Sequence, residues 1–212
     1  MNPSRDILAG LGALLLSVCV ASAQGTFAVT FDGPPLIPPG TARVVQSYSE
    51  SGIWFARIPG TGGFVRVGSS PNPGRPDNGT AYVQAAVGDS LRFGLDDGSS
   101  FDPVSVDLAE YSTAFQRPVV VQFVGYRPDG STVTTNLVTD GIIDGTGPVA
   151  DFQTFTFGPE FSGLTRVEIP TIGWSLDNLV ILRWVPEPGT GALLIVGAAV
   201  LALRFLKRKT RS

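Results

Sequence analysis

An all-β fold is predicted for residues 24–185, and three observations predict it. Short runs rich in Val, Ile, Thr, Phe and Tyr recur along the segment. Gly, Pro, Asp and Asn clusters punctuate them at short intervals. No amphipathic helix of any length can be drawn before the C-terminal tail. Many short strands separated by turn signals argue for a β-sandwich or barrel.

The elements follow in order. Phe27–Phe31 reads as the first strand, closed by Asp32. Pro34–Pro39 is irregular, and Ser69–Asn78 is a Pro- and Asn-rich surface loop. Ala81–Ala86 and Ser90–Leu95 are strands divided by Gly88-Asp89. Asp96-Asp97-Gly98 turns the chain into Val104–Ala109. The clearest hairpin is Val119–Tyr126 with Ser131–Thr139, joined by Pro128-Asp129-Gly130. Asp140-Gly141 and Asp144-Gly145 precede the strand Phe152–Phe157. Ser162-Gly163 precedes Leu164–Ile169, and Leu176–Trp184 is the last strand. There is no internal repeat.

Both ends differ from this body. Ile7–Val20 is an apolar run behind a short segment carrying Arg5 and Asp6, and Ala21-Ser22-Ala23 follows as an A-x-A site. That is the pattern of a secretory signal peptide spanning residues 1–23, cut by signal peptidase between Ala23 and Gln24. Cys19 follows Val18, where a lipobox wants a small residue, so it reads as part of the apolar run. At the other end, Pro186-Glu187-Pro188 forms a rigid turn. Thr190–Leu206 is apolar but for Arg204, long enough as a helix to reach about 26 Å and barely cross a membrane. Lys207, Arg208, Lys209 and Arg211 close the chain, a tail that stays cytoplasmic under the positive-inside bias.

This arrangement of motif, span and basic cluster over Val185–Ser212 resembles the PEP-CTERM sorting signal of exported bacterial proteins. The resemblance implies processing near Pro186, Glu187 and Pro188 by a membrane-embedded exosortase. It implies a protein first anchored in the membrane, then at the cell surface or in the extracellular matrix, beside exopolysaccharide. The plain alternative is a permanent C-terminal anchor. A second resemblance lies in the body. Phe101–Tyr111, the PDG hairpin, Asp151–Phe161 and Ser175–Val180 are similar, in that order, to jelly-roll β-sandwich domains of many PEP-CTERM proteins, which look like galactose-binding-type carbohydrate modules. It implies a single jelly-roll β-sandwich over residues 24–185, followed by the sorting segment at 186–212.

Composition narrows the chemistry. Residues 24–185 hold 9 Arg against 16 Asp and Glu, net −7, with both lysines of the chain in the tail. Such a segment lacks the clustered positive charge that nucleic acid needs. The chain has no histidine, and its one cysteine precedes the A-x-A site. Ser-His-Asp triads, thiol nucleophiles and imidazole metal ligands are therefore excluded from the body. Carboxylate chemistry such as glycoside hydrolysis stays open. However, Glu is scarce, and most Asp sit beside Gly as turn formers. A non-catalytic domain is expected, with a carboxylate glycosidase or lyase, or a purely adhesive surface protein, as rivals.

Four residues carry the binding expectations. Trp54, flanked by Gly52 and Arg57, is a candidate for stacking against sugar, with Phe55, Tyr82, Trp174 and Trp184 as further members of an aromatic platform. Asp32, after the first strand, and Asp177, inside the apolar last one, would meet if those strands are neighbours. Two meeting carboxylates call for a cation, and a structural Ca²⁺ is the expected one; no other cofactor is required. Asp107 reads as an exposed residue of an alternating strand, with Glu110 equally ambiguous. Asn78-Gly79-Thr80 fits a glycosylation sequon but reads better as a turn.

Overall fold

The computed structural model describes residues 22–69, 74–115, 117–143 and 151–186. Among the described residues there are thirteen strands: β1 (Ser22–Val29), β2 (Ala42–Val45), β3 (Ser47–Glu50), β4 (Ile53–Ala56), β5 (Phe64–Val67), β6 (Tyr82–Ala85), β7 (Leu91–Leu95), β8 (Phe101–Glu110), β9 (Val120–Tyr126), β10 (Thr132–Val138), β11 (Gln153–Thr156), β12 (Arg166–Ile169) and β13 (Trp174–Pro186). Helical structure among the described residues is limited to a 3₁₀ turn at Thr113–Phe115. The strands form two sheets. The first has the order β11-β8-β13-β6-β5-β2, with β1 also paired to β13; the second runs β10-β9-β12-β7-β4-β3.

The β9–β10 hairpin shows how turn chemistry sets register. Gly130 sits at φ 83°, a conformation that costs glycine little. Asp129 Oδ1 accepts the Ser131 amide at 2.9 Å, and the Gly130 amide donates to the Arg127 carbonyl at 3.0 Å. Val120 through Tyr126 then face Val138 through Thr132 without a slip. The same Asx chemistry recurs at Asp97 and Asp140, whose Oδ1 atoms accept the amides two residues on.

The inner faces of both sheets supply one core, including Phe55, Phe93, Phe123 and Val167 from the second sheet and Val83, Val106, Leu108 and Leu176 from the first. The first sheet is covered on its other face too at its centre, while its edge strand β2 stays exposed. All four residues of β6 are buried, and Tyr82 meets Phe152 edge-on at 5.4 Å in a second cluster with Val67 and Ala109. The second sheet alternates instead: β4 and β12 bury every other residue, as does β9 after its exposed Val120. Its outer face is therefore the open one.

Several expectations change here. Strands β2 to β5 lie in a region read as without strands. β1 stops at Val29, so Asp32 stands in the following loop, three residues past its end. Pro186 is the last residue of β13 rather than the start of a turn. Ala23 and Gln24 lie within β1. Glu187 and Pro188, the apolar runs Ile7–Val20 and Thr190–Leu206, and the basic tail lie outside the described residues. No helix among the described residues is long and apolar enough to cross a membrane. Gly25–Arg183 forms one compact unit.

Candidate ligand-binding face

The open face of the second sheet is a grid set by strand register. One row runs Ser49, Trp54, Gly94 across β3, β4 and β7. On the far side of the sheet Arg166 stands opposite Tyr126, and Tyr126 opposite Thr132. The next row reads Ser47, Ala56, Arg92, Glu168, Val124 and Thr134. Trp54 and Tyr126 thus lie on strands three places apart, about 14 Å at the usual strand spacing.

Trp54 owes its position to Gly94. A Cβ on Gly94 would stand 2.9 Å from Trp54 Cζ2 and 2.8 Å from the Thr165 carbonyl, so only glycine lets the indole lie over the strand. The indole Nε1 donates to the Leu95 carbonyl at 3.0 Å, which fixes the ring. The ring remains half-buried, and a cleft of about 460 Å³ between the Pro34-Pro35 loop and β3 reaches it. The Arg92 guanidinium carbon lies 5.7 Å from the ring centroid.

The far side of the face is a closed polar unit. Arg166 Nε pairs with Glu168 Oε1 at 3.1 Å and its guanidinium lies 4.0 Å from the Tyr126 ring centroid. Tyr126 donates to Glu168 Oε2 at 2.9 Å, and this bond to a carboxylate raises the phenol pKa. Gln122 and Asn136 continue the polar surface on β9 and β10.

Of the expected platform, the structure keeps only Trp54 among the described side chains. Phe55 packs inward against Phe31 and Phe93, while Tyr82 and Trp174 are fully buried. The Trp184 side chain lies outside the described residues. Arg57 is not brought to the Trp54 ring. It lies past the end of β4, and its guanidinium donates to the Thr61 carbonyl at 2.7 Å. Arg92 stands beside Trp54 instead, 38 positions away in sequence but adjacent across the β4–β7 ladder.

A second constellation surrounds Asp177. Because β1 pairs with β13, the loop after β1 brings Asp32 into the electrostatic field of Asp177. Asp177 is fully buried; Asp32 is exposed and accepts the Ala81 amide at 2.9 Å. Asp177 Oδ1 accepts the Asn178 amide at 2.7 Å, and Oδ2 accepts Asn78 Nδ2. Thr80 Oγ1 lies 2.8 Å from both Asp177 Oδ2 and Asn78 Oδ1, and its one proton can serve only one of them. Burial is the largest effect on Asp177 and pushes its pKa up to about 7; the hydrogen bonds oppose it and Asp32 adds to it. Asn178 occupies a bulge at φ 47°, where the β13–β8 register shifts, and its amide reaches Asp107 Oδ2 at 2.8 Å. Asp107, read as merely exposed, also accepts from Thr154 Oγ1 at 2.6 Å. Glu110 is buried and accepts the Gly141 amide at 2.7 Å.

Among the described residues no three His, Cys, Asp or Glu form a metal cluster. The oxygens bonded around Asp177 are of the hard type that Ca²⁺ takes: its own carboxylate, the Asn78 amide oxygen and the Thr80 hydroxyl. Close by, the fully buried Arg66 donates to the carbonyls of Phe31, Gly33 and Pro35, and stacks 3.9 Å from the Tyr48 centroid. Sequence reasoning missed Arg66. Its signal was an arginine inside an apolar strand, FVRV.

No family model matches the chain, and no curated protein matches it. Among solved structures it is similar to the D114A mutant of CBM29-2, a family 29 carbohydrate-binding module. Identity there is 9% over 82% of this chain and 96% of that one, at a TM-score of 0.35. It is similar to the CBM22-1–GH10 modules of endo-1,4-β-D-xylanase 10B from Clostridium thermocellum, 12% identical over 77% of this chain and 28% of that one, TM-score 0.32. A family 11 carbohydrate-binding module from Clostridium thermocellum, in complex with a β-1,3-1,4-mixed-linked tetrasaccharide, is 11% identical over 78% of this chain and 90% of that one, TM-score 0.25.

Proposed function

We propose that this chain is an exported surface or matrix protein whose jelly-roll β-sandwich binds carbohydrate, without catalysis, on the open face of its second sheet. One observation carries this: Trp54 is held over Gly94 on the solvent side of a sheet whose partner sheet is covered on both faces at its centre. An indole fixed in this way offers an apolar plane to a sugar ring, with the serine hydroxyls of β3 beside it for the sugar hydroxyls. Glycoside hydrolysis needs two free carboxylates flanking the bond. In the central rows of this face the carboxylate is Glu168, already engaged by Arg166 and Tyr126. That supports binding over turnover.

The test is affinity electrophoresis of the full chain through gels containing soluble polysaccharides. Trp54→Ala should abolish retardation while leaving the melting temperature within a few degrees. Equal retardation of both proteins would remove Trp54 from the site and reject the reading. Reducing-sugar release abolished by Glu168→Gln would replace it with the enzyme.

Two further parts belong to the proposal. Export by the N-terminal signal and sorting through Pro186-Glu187-Pro188 rest on the order of segments in the sequence. A structural Ca²⁺ held by Asp177 and Asp32, with Asn78 and Thr80 as neutral oxygens, rests on a buried carboxylate with no cationic side chain bonded to it.

A further inference from the structure

Arg92 is the unanswered charge on the open face. Arg166 is paired with Glu168, but no carboxylate of a described residue lies within 4 Å of the Arg92 guanidinium. Its Nε is buried and has no hydrogen-bond partner. The carboxylate directly across the ladder is Glu168, but that group is taken by Arg166 and Tyr126. The other carboxylate at this end, Asp96, lies beyond the end of β7 and is held by Ser49 at 3.1 Å. A guanidinium beside an indole and without a carboxylate partner is a planar fork that matches a planar acceptor. The body as a whole is acidic, 9 Arg against 16 Asp and Glu over residues 24–185, so a polyanion needs a local cationic group such as Arg92 to bind.

We infer that the Trp54–Arg92 face takes an anionic glycan, one whose sugars carry carboxylates, with a ring on the indole and a carboxylate on the Arg92 fork. This rests on the platform reading above and names the class of chain it selects. The Arg92 Nη groups, which are not among the buried unpaired atoms, then meet the carboxylate as a bidentate donor. Neutral chains would gain the stacking but leave that donor unanswered.

The test uses the full chain against polygalacturonate, alginate and hyaluronan, against the methyl ester of each, and against a neutral β-glucan. Esterification keeps the rings and removes the charge. At least one acidic polymer should retard the protein, and its ester should bind about tenfold more weakly. Arg92→Gln should show that loss on the acidic form and no further loss on the ester. Raising the salt to about 0.5 M should weaken the acidic form only. Trp54→Ala should weaken both. Equal binding of acid and ester, or an acid preference that survives Arg92→Gln, overturns the inference; the platform stands if Trp54→Ala still weakens binding. Retention on β-glucan without any acidic polymer does the same. Binding untouched by Trp54→Ala, or no retention on any polymer, overturns both. Unchanged melting temperatures for the two variants exclude misfolding as the cause.

Discussion

Asp177 is a carboxyl that folding makes harder to ionise, and this fixes the sign of a pH effect. Its pKa rises on folding from the usual 3.8 to about 7, so between those values the folded chain holds a proton the unfolded one has lost. Stability from this group should therefore fall as pH rises from about 4 to 7, by up to about 4 kcal/mol. Urea denaturation at steps of pH should show that slope, and Asp177→Asn should flatten it. With saturating Ca²⁺ the slope should vanish, since the ion takes the proton's place, and the melting temperature at pH 8 should rise. Mg²⁺ should substitute poorly because it demands tighter octahedral geometry. A melting curve at pH 8 indifferent to both Ca²⁺ and chelator rejects the ion. Arg66 makes a separate case. Arg66→Met leaves three loop carbonyls without their donor and should cost about 2–4 kcal/mol in urea denaturation. Arg66→Lys should recover only part, because an ammonium cannot reproduce the flat fork over Tyr48. A cost of Arg66→Met below about 1 kcal/mol would show that water replaces the guanidinium freely.

At the scale of elements, Gly94 is the residue that shapes β7 and β4 together. Gly94→Ala should cost about 1–3 kcal/mol and tilt the indole, reducing glycan retention even where the protein stays folded. Unchanged retention and stability would mean that the Trp54 ring is not seated by this glycine. This element-level arrangement was only partly legible beforehand. The β9–β10 hairpin could be read because alternation, β-branching and an Asp-Gly turn agree over adjacent residues. Strands β2 to β5 could not. Each has four residues; β2 and β3 carry mostly polar or exposed side chains, and long-range pairing rather than propensity makes them strands. Trp54 was nameable as a stacking candidate, two residues after Gly52. Arg92 was not, since its neighbourhood exists only once β4 lies against β7. The pairing of first and last strands could be anticipated, while Asn78, 99 positions from Asp177, left no local trace.

For the whole molecule, the proposed sorting route makes its own prediction. Replacing Pro186-Glu187-Pro188 by Ala-Ala-Ala should leave export intact, with N-terminal sequencing still giving Gln24, but should hold the protein in the membrane fraction at its larger size. An unchanged final location and size would leave a simple anchor. The attachment point also has a mechanical meaning. Pro186 ends β13, and β13 is bonded to β8 along most of its length, to β6 through Trp174–Leu176, and to β1. A polysaccharide gripped at the Trp54 face and a tether beyond Pro186 would load the body from opposite sheets. To pull β13 free, ladder bonds on both of its sides must break together. Force spectroscopy through the C-terminus should therefore record a single high rupture, where traction on the edge strand β10 would open its hydrogen bonds one pair at a time.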